Sequence, residues 1–397
     1  MILKKKILMI IVLATLLGSV CLGIALRNEK QTNIINDQEI IDNVVPKTFK
    51  GTVNDKYNVP IDVMNFVTSY MDDYYLSLYT MEKQDTTKYF KNDRDGLVSD
   101  YGIKLTIESR KLYDFDFTMS DAHYDLNITN YEEKDGKYYI NFLEDDYMSF
   151  KFLNGICSKS YGIENSMIIE KIDNIFKISQ YDKTQGYYMM FNDEANKNED
   201  LNSLYDFYWK ELTYEINREN DYKIKSQEAP YLASKLFKIP YNRDAAVKYI
   251  NDYSHNRNSE WDDFEEEGNC QNFASQVLIA GGMKMDYDGD EDDNTIWYYN
   301  NNSDYTSSWT GVPYFMKYCM ANTGSGLVAD VGINIYYAEP GDIIQVGIST
   351  VSHSTVVSKI VDGHILLNSN SIDMEDFPLE AYVYPTRKLI KILGSNS

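Results

Sequence analysis

Over much of the stretch from Asp114 to Tyr181, apolar and polar residues alternate at every second position. A helix cannot satisfy that period, whereas an antiparallel sheet with one covered face can. DFDFTMSDAHYDLNITNYEE (114–133) alternates, Asp135-Gly136 offers a turn, and KYYINFLEDDYMSFKF (137–152) continues as strand. MIIEKIDNIFKISQY (167–181) reads as a second hairpin, turning at Asp173-Asn174. Ahead of these strands Val63, Phe66, Val67, Tyr70, Met71 and Tyr74 recur at helical spacing, which predicts an amphipathic helix over 61–81. A helix followed by long antiparallel strands makes residues 51–190 an α+β domain. The 35 tyrosines, set against only 8 prolines, suit half-buried positions in such elements, because the ring packs while the hydroxyl stays wet. No cluster of titratable residues marks a catalytic site here, and His123, inside an alternating strand, reads as a packed or surface residue.

The helix with its curled sheet resembles the cone-shaped fold of nuclear-transport-factor-2-like domains. Upstream, Lys4, Lys5 and Lys6 precede an uncharged run from Ile7 to Leu26, long enough for one membrane crossing. The basic flank places the lysines in the cytoplasm and exports the chain beyond Arg27. Residues 1–27 therefore read as a retained signal anchor, with a cleaved signal peptide as the alternative. The protein is expected outside the cytoplasm, held at the cell membrane or secreted after cleavage. Residues 28–50 form a polar tether. Residues 191–240, polar, acidic and helix-prone near Leu201–Leu212, read as a linker punctuated by Pro230 and Pro240. A formal net charge of −23 argues against nucleic-acid binding, which needs clustered cations. With 4 cysteines, a disulfide scaffold or multi-cysteine zinc site is not expected.

The chemistry concentrates after Tyr241. In YNRDAAVKYINDYS, Asn242 caps a helix with a stripe at Ala246, Tyr249, Ile250 and Tyr253. In WDDFEEEGNCQNFASQVLIAGG an irregular acidic stretch ends at Gly268-Asn269, and a helix begins at Cys270. Its core face starts at Phe273, so Cys270 faces the loop side of the first turn. Unpaired amides and the helix dipole there favour a thiolate and offer donors to an oxyanion. A cysteine nucleophile needs a base. Of four histidines, His255 and His364 sit beside predicted turns and His123 lies in the other domain, which leaves His353. Asp362-Gly363 predicts a two-residue hairpin turn. That register sets His353 opposite Ile372, with Asn370 as its diagonal neighbour and therefore the orienter of the ring. One extra turn residue would bring Asp373 into that role instead.

These blocks resemble a known family. GNCQNFASQVLIAGG, SSWTGVPYFMKYC, AEPGDIIQV and HSTVVSKI, after YNRDAAVKYI, are similar to the bacterial putative amidase domain family, among the papain-like cysteine hydrolases. The resemblance covers Tyr241–Leu393 and gives the domain 241–397. It implies a C-terminal α+β papain-like fold, with Cys270 on the first long helix packed against a sheet that carries His353. Two departures stand out. The family commonly has Asp before the cysteine, where this chain has Asn269. Where the family tends to show a histidine-containing block, this chain reads SNSID, with Asn370 at the polar position.

The resulting expectation is an exported cysteine amidase or peptidase-like hydrolase without metal or cofactor. Cys270 acts as nucleophile, His353 as base and Asn370 as orienter, on a peptide or peptidoglycan-type amide. The rival reading is a non-catalytic surface-binding module that retains the fold. Asp286–Asn294 lacks the spacing of a calcium loop and reads as a solvated acidic loop. Trp297, Trp309 and Cys319 read as packing residues. The change of pattern near Tyr241 predicts that residues 241–397 fold by themselves.

Overall fold

A computed structural model describes residues 51–397 apart from 196–199, 265–267, 292–293, 323 and 397. The expected membrane segment at 1–27 and the tether at 28–50 lie outside the described residues. Among the described residues no helix is long and apolar enough to cross a membrane.

The first half runs β1 (Thr52–Asn54), α1 (Ile61–Thr80), α2 (Asp93–Arg110), β2 (Met119–Lys134), β3 (Lys137–Phe150), β4 (Ser158–Ile172), β5 (Ile175–Lys183) and α3 (Gly186–Ala195). Helix α1 buries the expected stripe, including Val63, Val67, Tyr70, Met71 and Tyr74. Both hairpins turn where the sequence places them. Asp135 and Gly136 have φ of 53° and 75°, and Asp173 and Asn174 have 49° and 63°. Two left-handed residues in succession match the twist of the flanking strands. Lys134 therefore pairs with Lys137, and Ile172 with Ile175.

The expected linker is instead built into the core. It forms α4 (Leu201–Glu228), which buries Leu204, Tyr208, Leu212 and Ile216. The chain continues through β6 (Ile239–Pro240), α5 (Arg243–Tyr253), α6 (Cys270–Ala280), β7 (Tyr299–Asn301), β8 (Asp304–Tyr305), α7 (Ser307–Thr310) and α8 (Val312–Ala321). It closes with β9 (Gly326–Ile333), β10 (Ile343–Gly347), β11 (Val351–Val361), β12 (His364–Ser369), β13 (Asp373–Pro378) and β14 (Thr386–Asn396).

The fold is α+β, with one large sheet. Among the described residues twelve strands join in the order β1-β2-β3-β4-β13-β12-β11-β10-β14-β6, with β5 on β4 and β9 on β14. The stretches 51–190 and 241–397 thus meet edge to edge. Asp373, Met374 and Glu375 of β13 pair with Tyr161, Ser160 and Lys159 of β4.

The second half of the sheet is covered on both faces, which its alternating residues record. Ile343, Val356, Ile390 and Ile392 pack under α5, α6 and α8 with Ala246, Phe273, Val277 and Phe315. Their neighbours Ile344, Val346, Val357 and Leu389 belong to the other core, shared with Tyr70 and Phe150 of the first half and with Tyr208 and Leu212 of α4. Strand β10 is accordingly buried along its whole length, as expected for a strand covered on both sides.

Candidate active site

Cys270 is the first residue of α6, as the sequence predicts, and Gly268 (φ 100°) supplies the left-handed step into it. The thiol is buried, 6% exposed, against Val312, Val351 and Met316. That burial decides its chemistry. Desolvation pushes the thiol pKa up, although the amides of Ser354, Gln271 and Cys270 itself and the Ser371 hydroxyl pull it down. The expected resting thiolate is corrected: helix-start amides are present, but loss of water outweighs them.

His353 lies on β11, half-buried, with Val346 of β10 as its strand partner. Burial lowers its pKa from 6.5 to about 4, so the ring is neutral at physiological pH. The other three histidines are engaged elsewhere. His123 Nε2 lies 2.7 Å from Asp125, and His364 Nδ1 lies 2.8 Å from Glu380. His255 stacks on Tyr161 and stands 3.5 Å from Asp373.

Cys270 and His353 are tied through their next residues in the chain. Ser354 Oγ donates to Gln271 Oε1 at 2.6 Å, and Gln345 Nε2 donates to the same oxygen at 3.1 Å. The Ser354 amide acts on the Cys270 sulfur itself. Tyr384 stands close as well: burial lifts its phenol to about 12, and the charge of the nearby Cys270 adds to the rise.

The predicted orienter sits elsewhere. The Asp362-Gly363 turn has two residues, and Val361 pairs with His364 as expected. A bulge between Val357 and Lys359 then shifts the register, β12 ends at Ser369, and the His353–Ile372 pairing does not form. Asn370 is buried, and its Oδ1 accepts from Asn269 Nδ2 at 2.5 Å. Its Nδ2 donates to the carbonyls of Tyr253 (3.1 Å) and Ser254 (3.4 Å). Asp373 takes Arg257 in a fork, both distances 3.1 Å. Neither side chain holds the His353 ring. Asn370 fixes the turn before Cys270 instead. Ser371, which no sequence signal marks, accepts from the Asn269 amide at 2.6 Å and has a φ of 150°, rare for an L-residue.

His353, Ser371 and Tyr384 line a cavity of about 580 Å³, together with Arg110, Ser160 and Gln185 of the first half. Among the described residues no group of three or more His, Cys, Asp or Glu side chains is placed to hold a metal ion. Trp297 and Trp309 stack at 5.3 Å and are fully buried, so they pack and do not line the cavity. Cys319 is buried too.

Residues 240–393 match the family described as putative amidase domain. Over 140 residues the chain is 33% identical to the uncharacterized protein YhbB of Bacillus subtilis (strain 168), an overlap of 34% of this chain and 42% of that protein. No solved structure matches at a significant level.

The amidase-domain match spans Cys270, His353 and Asn370. Asn269 and Asn370 hydrogen-bond to each other. Asn269 Oδ1 also accepts from Asn272 Nδ2 at 2.7 Å. A carboxamide at 269 can donate and accept at once, which a carboxylate cannot. Nothing local in the sequence of the amidase domain signals this pairing, because its members lie a hundred residues apart.

Proposed function

We propose that the amidase domain is a cysteine hydrolase of papain-like architecture that cleaves a C–N amide bond. The tie between Gln271 and Ser354 carries the reading: it sets the residue after the cysteine against the residue after the only histidine that faces the cavity. Thiol and imidazole are both neutral at rest, so the proton moves as the reaction begins. Cys270 Sγ attacks the carbonyl carbon while His353 takes the thiol proton. The tetrahedral oxyanion is stabilised by amides at the start of α6. Collapse breaks the C–N bond, and His353 returns the proton to the leaving amine. Water, deprotonated by the same ring, then hydrolyses the thioester to a carboxylic acid and restores the thiol.

The lysine flank and the uncharged run at Ile7–Leu26 support an extracytoplasmic, membrane-held enzyme, and a cell-wall peptide suits that location. Protease added to intact cells or protoplasts should digest the amidase domain, and survival until lysis would contradict this placement. Substitution tests the chemistry. Cys270→Ala and His353→Ala should each lower the rate of amide hydrolysis by on the order of 10⁴-fold or more, and the double variant little further. A non-catalytic binding role is favoured by one observation, the raised thiol pKa. It forecasts that Cys270→Ala leaves ligand binding and every other function unchanged.

A further inference from the structure

Among the described residues, buried cations come with carboxylates, with one exception. Lys183 Nζ lies 2.9 Å from Glu144, Arg387 2.8 Å from Glu219, and Lys391 3.3 Å from Asp342. Arg110, the last residue of α2, is only 4% exposed and makes no ion pair among the described residues. Its Nε and Nη1 have no hydrogen-bond partner, and Nη2 reaches only the Ala381 carbonyl at 3.5 Å. Its guanidinium lies 5.5 Å from the ring centres of Phe117 and Phe150, so the plane is held while its edge goes unmatched. The acid that acts on it through space, Asp146, accepts from Gln185 Nε2 at 3.2 Å, leaves its other oxygen without a hydrogen-bond partner and makes no ion pair among the described residues. A buried charge without a directly paired counter-ion is costly, on the order of several kcal/mol, and an arginine fork is shaped for a carboxylate.

Arg110 lines the same cavity as His353 and Ser371. We propose that Arg110 binds a free carboxylate of the amide substrate, so that the substrate is an anionic amide such as a short peptide with an unblocked C-terminus. The proposal rests on the amidase reading, since it names the substrate of that site. It also gives the first half of the chain a role. That half supplies the wall that recognises charge, while the amidase domain supplies the reacting groups.

The test is calorimetric titration of the full chain carrying Cys270→Ala, which prevents turnover. The probes are acetyl-alanyl-alanine with a free C-terminus and the same peptide as its C-terminal amide. The carboxylate form should bind at least about tenfold more tightly, and Arg110→Met should erase the difference. Equal affinity for the two probes, a preference that survives Arg110→Met, or no binding of the carboxylate probe at millimolar concentration would each overturn the proposal. Arg110→Met should also raise the melting temperature of the ligand-free protein, because it removes an unmatched buried charge. A lower melting temperature, or failure to fold, would show that the guanidinium is already satisfied, and would overturn it as well. Binding reports on the subsite alone. A carboxylate preference without acylation of Cys270 in the wild type would sink the hydrolase reading, and acylation without the preference would sink only the subsite.

Discussion

Cys270 keeps its proton at neutral pH because it is buried, and His353 stays unprotonated for the same reason. The sign of each shift fixes a pH profile. A histidine pKa lowered to about 4 means the base form is lost only as pH falls through 4, so the acid limb of kcat/KM should lie near pH 4, far from 6.5. Alkylation of Cys270 by iodoacetamide should climb with pH to a midpoint above 9.0. A rate already saturated at pH 7 would contradict this. The lowered histidine pKa also ties folding to pH, since the unfolded chain binds a proton that the folded one refuses, and stability is lost as pH falls from 6.5 towards 4. Asn370 separates positioning from anchoring. With three hydrogen bonds to Asn269, Tyr253 and Ser254, Asn370→Ala should cost about 1–3 kcal/mol of stability by stranding buried partners. An unchanged denaturation midpoint with a large loss of rate would return Asn370 to the role of orienter. The sequence places Cys270 at a helix start and His353 in a strand, and the structure has them there. The sequence does not disclose the partners of Asn370, because the bulge at Val357–Lys359 shifts the register that the turn alone predicts.

Short-range chemistry makes the elements readable. Helix α1 shows its stripe, and the three two-residue turns at Asp135-Gly136, Asp173-Asn174 and Asp362-Gly363 hold residues that tolerate left-handed backbone. Helix α2, DRDGLVSDYGIKLTIESR, interleaves polar and apolar residues without a clean stripe and offers no such signal. Helix α4 reads as a linker because its polar residues outnumber its stripe. Its anchor, however, is a buried ion pair visible only in the fold. Arg387 of β14 meets Glu219 of α4 at 2.8 and 3.0 Å, both fully buried, and donates to the Tyr382 carbonyl at 2.6 Å. Arg387→Ala should destabilise the protein by about 3–5 kcal/mol by leaving Glu219 unmatched. Urea denaturation of the variant checks this, and a loss below about 1 kcal/mol would show that α4 docks through its apolar face alone.

At the scale of the molecule, the change of pattern near Tyr241 marks a change of local structure while the core runs on across it. Ile344, Val346, Val357 and Leu389 share a core with residues of the first half, and β13 pairs with β4 through Asp373, Met374 and Glu375, which carry no sequence signal for pairing. Residues 241–397 expressed alone would expose that apolar face to water. The fragment should lack a cooperative thermal transition, whereas the full chain melts sharply. A sharp transition in the fragment would show that residues 241–397 need no cover from the first half. The central claim, that Cys270 is the nucleophile of an amide-cleaving site, is tested most directly by intact-protein mass spectrometry of the full chain after exposure to an activated acyl compound such as a peptidyl p-nitrophenyl ester. A single added acyl group mapped to Cys270 is expected, absent from Cys270→Ala and slowed in His353→Ala. A folded wild-type protein that gains no acyl group, or gains it at another residue, would contradict that claim.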